Sequence, residues 1–208
     1  MTRGKFITLE GGEGAGKSTQ IRRLSEWLRS AGQTDVVMTR EPGGSAGAEA
    51  IRELLVNGEV DRWDGVTEVL LHFAARRDHV MKTIEPALAR GAWVICDRFA
   101  DSTRAYQGIV QGAGLDVVEA AYALAVGDLE PDLTLILDLP VYVGLARANE
   151  RGGSDRYERM GREFHKALRD AFLKVGADYP ERCVVVDATG DEDAVEQAIR
   201  AAVSKKWP

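Results

Sequence analysis

Nine residues constrain this chain more than any others: Gly11-Gly12-Glu13-Gly14-Ala15-Gly16-Lys17-Ser18-Thr19, which matches G-x-x-x-x-G-K-[ST]. An apolar run, Phe6-Ile7-Thr8-Leu9, precedes them and a helical pattern follows. Glycines let the backbone wrap closely around a phosphate, with successive N–H groups pointing inward. The N-terminus of the following helix adds partial positive charge. Lys17 is then placed to reach the β- and γ-phosphates, and the Ser18 hydroxyl to ligate Mg²⁺. All nine residues are predicted to hold a nucleoside triphosphate. The pattern leaves the acceptor of the phosphoryl group open: water, a protein, a sugar or another nucleotide.

The rest of the chain reads as alternating strands and helices. Strands are predicted at Lys5–Glu10, Asp35–Arg40, Ala92–Asp97, Asp132–Asp138 and Arg182–Asp187. Helices are predicted at Lys17–Ala31, Ala46–Val56, Thr67–Arg90 with a kink or new turn at Pro86, Asp101–Ile109, Val117–Gly127, Val141–Arg151, Glu158–Ala177 and Glu192–Ser204. Strands separated by helices need crossover connections, hence a five-stranded parallel sheet in an α/β fold. Runs such as Trp93-Val94-Ile95-Cys96 do not alternate polar and apolar residues, which fits strands covered by helices on both faces. A length of 208 residues suggests one domain, residues 1–208. Gly152-Gly153-Ser154 is the best hinge candidate.

The formal net charge of −6 does not indicate a nucleic-acid-binding surface. No apolar run approaches a membrane span and no secretory signal is visible, so the expectation is a soluble, cytoplasmic protein. Cys96 and Cys183 lack metal-ligand spacing and read as buried thiols. Of the 27 basic residues, six arginines (Arg147, Arg151, Arg156, Arg159, Arg162 and Arg169) crowd one segment. They could line a solvated helix face, paired with Glu150, Glu158 and Glu163, or clamp phosphates with their planar forks.

Asp97 ends a buried-type strand and Arg98 follows it. Parallel strands present these ends to the ligand edge of the sheet. Asp97 is therefore a candidate for the Mg²⁺ shell, through water, and Arg98 for a phosphate. Asp138 and Asp187 also end strands and remain alternatives for the metal. On the helix near Thr67, Phe73 and Arg77 lie four residues apart and share a face. They could stack on and hydrogen-bond a heteroaromatic base, or be core and surface residues respectively.

Together these motifs resemble the bacterial thymidylate kinase (dTMP kinase) family nearly from end to end. The resemblance is carried by the strand with its glycine loop, Thr39-Arg40-Glu41-Pro42-Gly43-Gly44, Phe73-Ala74-Ala75-Arg76, Asp97-Arg98-Phe99, Ser102-Thr103, Ala105-Tyr106-Gln107-Gly108, Pro131-Asp132-Leu133-Thr134 and Asp155-Arg156-Tyr157-Glu158. It implies the three-layer P-loop NTPase fold with a mobile, Arg-rich lid at about residues 147–160. It also implies transfer from ATP, with Mg²⁺, to dTMP for dTTP biosynthesis, by a protein that is typically a homodimer.

Roles follow from the same resemblance. Phe73 would stack on thymine and Arg77 would bind its carbonyl edge, with Thr103 and Gln107 also at the base. Tyr106 would crowd the ribose 2′ position, and Arg98, helped by Arg40, would hold the acceptor phosphate. Glu13 would meet the 3′-hydroxyl and Asp97 would help organise magnesium. Gly14 and Ala15 stand where some members carry an arginine. The lid would then supply that charge, from Arg156 first and Arg151 second. Arg147 and Ala188-Thr189 look like the adenine side. None of His72, His79 and His165 is expected to be catalytic. Other P-loop nucleotide or deoxynucleoside kinases are the nearest alternative. A GTP-binding switch is remote, because Asp187-Ala188-Thr189-Gly190 spells D-x-x-G but N-K-x-D is absent and 18 residues remain.

Overall fold

A computed structural model describes residues 3–150 and 156–208. The strands are β1 (Phe6–Gly11), β2 (Val36–Arg40), β3 (Trp93–Asp97), β4 (Leu133–Asp138) and β5 (Cys183–Asp187). They form one parallel sheet in the order β2-β3-β1-β4-β5. Every residue of β1, at the centre, is buried. Side chains alternate across a strand, so Ile7 and Leu9 face one helical layer while Phe6 faces the other.

The first layer comprises α1 (Lys17–Ser30) and α9 (Glu192–Lys206), which supply Ile21, Leu24, Leu28, Val195, Ile199 and Val203. The opposite layer holds α3 (Gly65–His79), α4 (Glu85–Ala89), α6 (Leu115–Ala125) and α8 (Arg162–Asp178). Short α2 (Ala46–Val56), α5 (Ala100–Thr103) and α7 (Val141–Glu150) complete the described helices. Among these residues no helix is long and apolar enough to cross a membrane. The apolar faces of α3 and α6 pack on each other. Even so, Leu70 stays 61% exposed and Leu124 88% exposed.

Three predicted helices differ from those observed. The span 67–90 is a helix to His79, a wide π-helical segment Val80–Ile84, then α4. Pro86 lacks an N–H, so the Lys82 carbonyl loses its i+4 donor, and the chain widens just ahead of the proline. The span 101–109 is one turn, α5, followed by a π-helical segment Arg104–Val110 that carries Tyr106 and Gln107. The predicted Glu158–Ala177 helix starts only at Arg162, because the preceding turn is tied elsewhere: Arg156 N–H donates to the Val56 carbonyl at 2.9 Å. Cys96 and Cys183 are buried free thiols, as expected.

Leu135 lies on β4, fully buried between β1 and β5. Leu135→Ala should lower the unfolding free energy by about 3 kcal/mol, the cost of lost burial plus a cavity. Urea denaturation should show the lowered midpoint with an unchanged slope.

Candidate active site

The glycine loop leaves β1 at the carboxyl edge of the sheet and runs into α1. Gly14 has φ +69, and a Cβ there would lie 2.0 Å from the Gly144 carbonyl oxygen of α7. Only glycine tolerates both. Ala15 is buried in the core. Neither position has room for an arginine, a packing reason for the missing P-loop charge. Lys17 Nζ donates to the carbonyls of Gly11 (3.1 Å) and Gly12 (2.9 Å). Burial, then Arg98, push its pKa down.

Register brings β3 to the loop, because Leu9 pairs with Asp97. Ser18 Oγ donates to Asp97 Oδ2 at 3.0 Å. A hydroxyl and one carboxylate beside a phosphate loop fit Mg²⁺, which takes few protein oxygens and draws the rest from phosphate and water. The alternatives have other partners: Asp138 accepts two bonds from Arg169, and Asp187 accepts from Thr189 N–H. Arg98 is the one described non-glycine residue in the left-handed region, at φ 68. Its guanidinium binds Glu13 (2.7 Å), the Gly11 carbonyl (2.9 Å) and Ser102 Oγ (3.1 Å). Tyr106 OH also donates to Glu13, at 2.8 Å. Burial would raise the Glu13 pKa, but Arg98 and Lys17 outweigh it and hold the carboxyl at about 2.

These groups open on one cavity of about 680 Å³. Glu13 to Thr19, Asp97 and Arg98 line it. So do Arg147 and Ala188, expected on the adenine side, together with Gly190, Asp191 and Gln20. Thr103, Tyr106, Gln107 and Arg40 line it as well, and Arg40 pairs with Glu49 at 3.0 Å. Gly11 and Gly12 border a smaller neighbouring cavity.

One expected pair lies away from the cavity. Phe73 is 3% exposed and packs in the core against Tyr122, and Arg77 points outward to the Ala125 carbonyl. Neither lines the cavity; His72 and Arg76 do. One residue is about 100° of helix rotation, so a shift of one position puts His72 and Arg76, also four apart, on the cavity side. Arg76 stacks over Phe73 at 4.5 Å, donates to Glu41 Oε2 (2.7 Å) and Thr103 Oγ1 (3.1 Å), and leaves Nη1 buried without a partner.

Arg156, expected on the lid as the main catalytic arginine, is fully buried. It pairs with Glu68 and donates to the Leu55 (2.9 Å) and Val60 (3.1 Å) carbonyls. It ties its turn to α2 and α3 instead of facing phosphates. Arg151 and the hinge candidate 152–154 lie outside the described residues. Arg52, also on the cavity, has no motif to mark it.

His72 Nε2 lies 3.1 Å from Tyr157 OH. Burial first, then the nearby guanidinium of Arg76, push its pKa down to about 3, so the ring is neutral. Its folded value lies below an ordinary histidine's. The stability it confers is therefore present above about pH 6.5 and is lost as the pH falls toward 3. An NMR titration should find His72 neutral at pH 5. The stability of the wild type should fall more steeply below about pH 6.5 than that of His72→Phe, by up to about 1.4 kcal/mol per pH unit.

Comparison with known proteins agrees with this arrangement. Residues 9–199 match the sequence model of thymidylate kinase. The chain is 58% identical over 206 residues to the thymidylate kinase of Caulobacter vibrioides, covering 99% of each. It is 53% identical over 207 residues to that of Bradyrhizobium sp. strain ORS 278, covering 98% of this chain and 91% of the relative. The crystal structure of thymidylate kinase from Ehrlichia chaffeensis superimposes with a TM-score of 0.79 at 33% identity, covering 97% and 99%. With the glycine loop and Asp97-Arg98 on one sheet edge, the chain belongs to the thymidylate kinase family.

Proposed function

We propose that this protein transfers the γ-phosphoryl group of ATP to dTMP, giving dTDP and ADP. The chain acts as one kinase domain, 1–208, with about 147–160 as lid. The observation that carries the reading is the single cavity joining a phosphate loop, through Arg98, to a wall of His72, Arg76, Thr103 and Gln107.

A nucleoside monophosphate is largely dianionic at neutral pH, with a second pKa of about 6. It needs little help from a base. Its difficulty is repulsion from the triphosphate, so the site must align two anions and offer cations where charge develops. Lys17 leaves its loop carbonyls for the β- and γ-oxygens. Arg98 leaves Glu13 for the acceptor phosphate, assisted by Arg40, and Glu13 turns to the 3′-hydroxyl. Mg²⁺, when bound by Ser18 and, through water, by Asp97, neutralises phosphate charge. Arg151 supplies the lid-side charge, Arg147 stands on the adenine side, and lid closure excludes water.

At the base, the unpartnered Arg76 Nη1 suits a carbonyl oxygen, since a buried charged donor needs a partner. The neutral His72 ring supplies an apolar face. Tyr106, held by Glu13 at the wall, crowds a 2′-hydroxyl. The protein acts in the cytoplasm on small molecules. A second copy covers the exposed face formed by Leu70 and Leu124, which lie on neighbouring helices, giving a homodimer.

ADP release should be fastest with dTMP, weaker with dUMP, and low with the ribose form, dCMP, AMP or thymidine. Equal rates on dTMP and its ribose form would remove Tyr106 from sugar selection. No activity above water with any monophosphate would overturn the kinase reading. Sedimentation equilibrium should show a dimer that Leu124→Glu converts to monomer; a monomeric wild type would refute the interface.

A further inference from the structure

One buried carboxylate has no part in the chemistry above, yet two cavity-lining residues, Gln107 and Tyr157, bond to it and a third, His72, reaches it through Tyr157. Glu68, on α3, is fully buried. Its Oε1 pairs with the Arg156 guanidinium. Its Oε2 accepts from Gln107 Nε2 at 2.8 Å and from Tyr157 OH at 2.8 Å. Tyr157 OH in turn lies 3.1 Å from His72 Nε2. Gln107, Tyr157 and His72 all line the cavity.

A carboxylate paired with a guanidinium only accepts hydrogen bonds. Every group that meets it must therefore present a donor. Gln107 must turn its NH₂ toward Glu68, which leaves its Oε1 as the group available to the cavity. Among the described residues that oxygen has no hydrogen bond. Tyr157 gives its proton to Glu68, so its lone pair accepts from His72, which fixes the neutral ring as the Nε2–H tautomer.

We infer that Glu68 is a positioning residue that sets hydrogen-bond direction along the acceptor-base wall, and thereby selects a base carrying a ring N–H. This rests on the reading of that wall as the dTMP site. Thymine offers a carbonyl at position 4 and N–H at position 3, matching the Arg76 donor and the Gln107 acceptor. Cytosine offers an amine and a bare nitrogen, opposing both. A free amide could turn over to suit either base, so without Glu68 the Gln107 side chain discriminates poorly. Arg156, which holds the other oxygen, supports the same carboxylate from the lid-side turn.

Steady-state kinetics of Glu68→Gln with dTMP, dUMP and dCMP test this. Because that change leaves the Arg156 guanidinium without its counter-charge, Glu68→Gln/Arg156→Gln is measured beside it. The expected result is a KM for dTMP raised about tenfold, a KM for ATP within about twofold, and a dTMP-to-dCMP preference narrowed at least about tenfold. A lowered melting temperature with both KM values and the base preference unchanged would show a merely structural role and overturn the inference. Should neither variant fold, binding of 3-methylthymidine 5′-monophosphate to the wild type decides. A loss of about thirtyfold or more relative to dTMP supports a carbonyl aimed at position 3, and affinity within threefold overturns it. A wild type with no preference for dTMP would instead refute the reading of the wall itself.

Discussion

The Arg98–Glu13 ion pair sits where β1 and β3 end side by side, and the site is organised around it. In the proposed reaction two polyanions meet there, and like charges at contact distance repel strongly in a medium less polarisable than water. The protein answers with cations already in place but engaged. Arg98 holds Glu13 and a loop carbonyl, and Lys17 rests on two carbonyls of the same loop. Phosphate oxygens can replace each of those partners without new side chains being recruited. Arg98 accepts a left-handed backbone to reach this position, and its N–H is anchored on the Leu9 carbonyl at 3.0 Å.

The surrounding fold keeps that pair fixed with buried charge as well as apolar packing. Glu10, at the end of β1, accepts from Phe99 N–H and Ser102 Oγ, so the turn bearing Arg98 is fastened to the central strand. Burial, then Asp101, raise the Glu10 pKa. Asp101 itself is held by Arg182 and Arg104, linking α5 to the start of β5. Buried pairs of this kind add little net stability, because desolvation offsets attraction. What they contribute here is direction: the Asp101 carboxylate, held ionised by Arg182 and Arg104, can only accept, so the Thr134 hydroxyl must donate to it. Glu68 applies the same logic to the wall of the base.

Much of this was legible from residue order. Alternating apolar runs and helical patterns imply a parallel sheet, and the glycine loop marks its active edge. Asp97 and Arg98 follow from the rule that parallel strands deliver residues to that edge. Helix phase was not legible. A ring side chain with an arginine four residues on occurs twice in succession, as His72 with Arg76 and Phe73 with Arg77. Only packing against Tyr122 and Phe99 decides that Phe73 turns inward and His72 faces the cavity. The π-helical segment Arg104–Val110 was equally hidden, since no proline or other residue pattern announces it.

Arg156 shows the limit most clearly. In the sequence it is one of six arginines in a polar stretch beside a hinge-like Gly-Gly, and its charge suits a phosphate. Its fate depends on Glu68, which lies 88 positions away, and on the carbonyls of Leu55 and Val60. By itself the sequence determined the sheet, the phosphate loop and the acid–arginine pair at its edge, because those rest on local periodicity and adjacent residues. Tertiary structure alone decided which arginines line the cavity and which are buried ties, because a guanidinium goes to whichever acceptors the fold brings within hydrogen-bond distance.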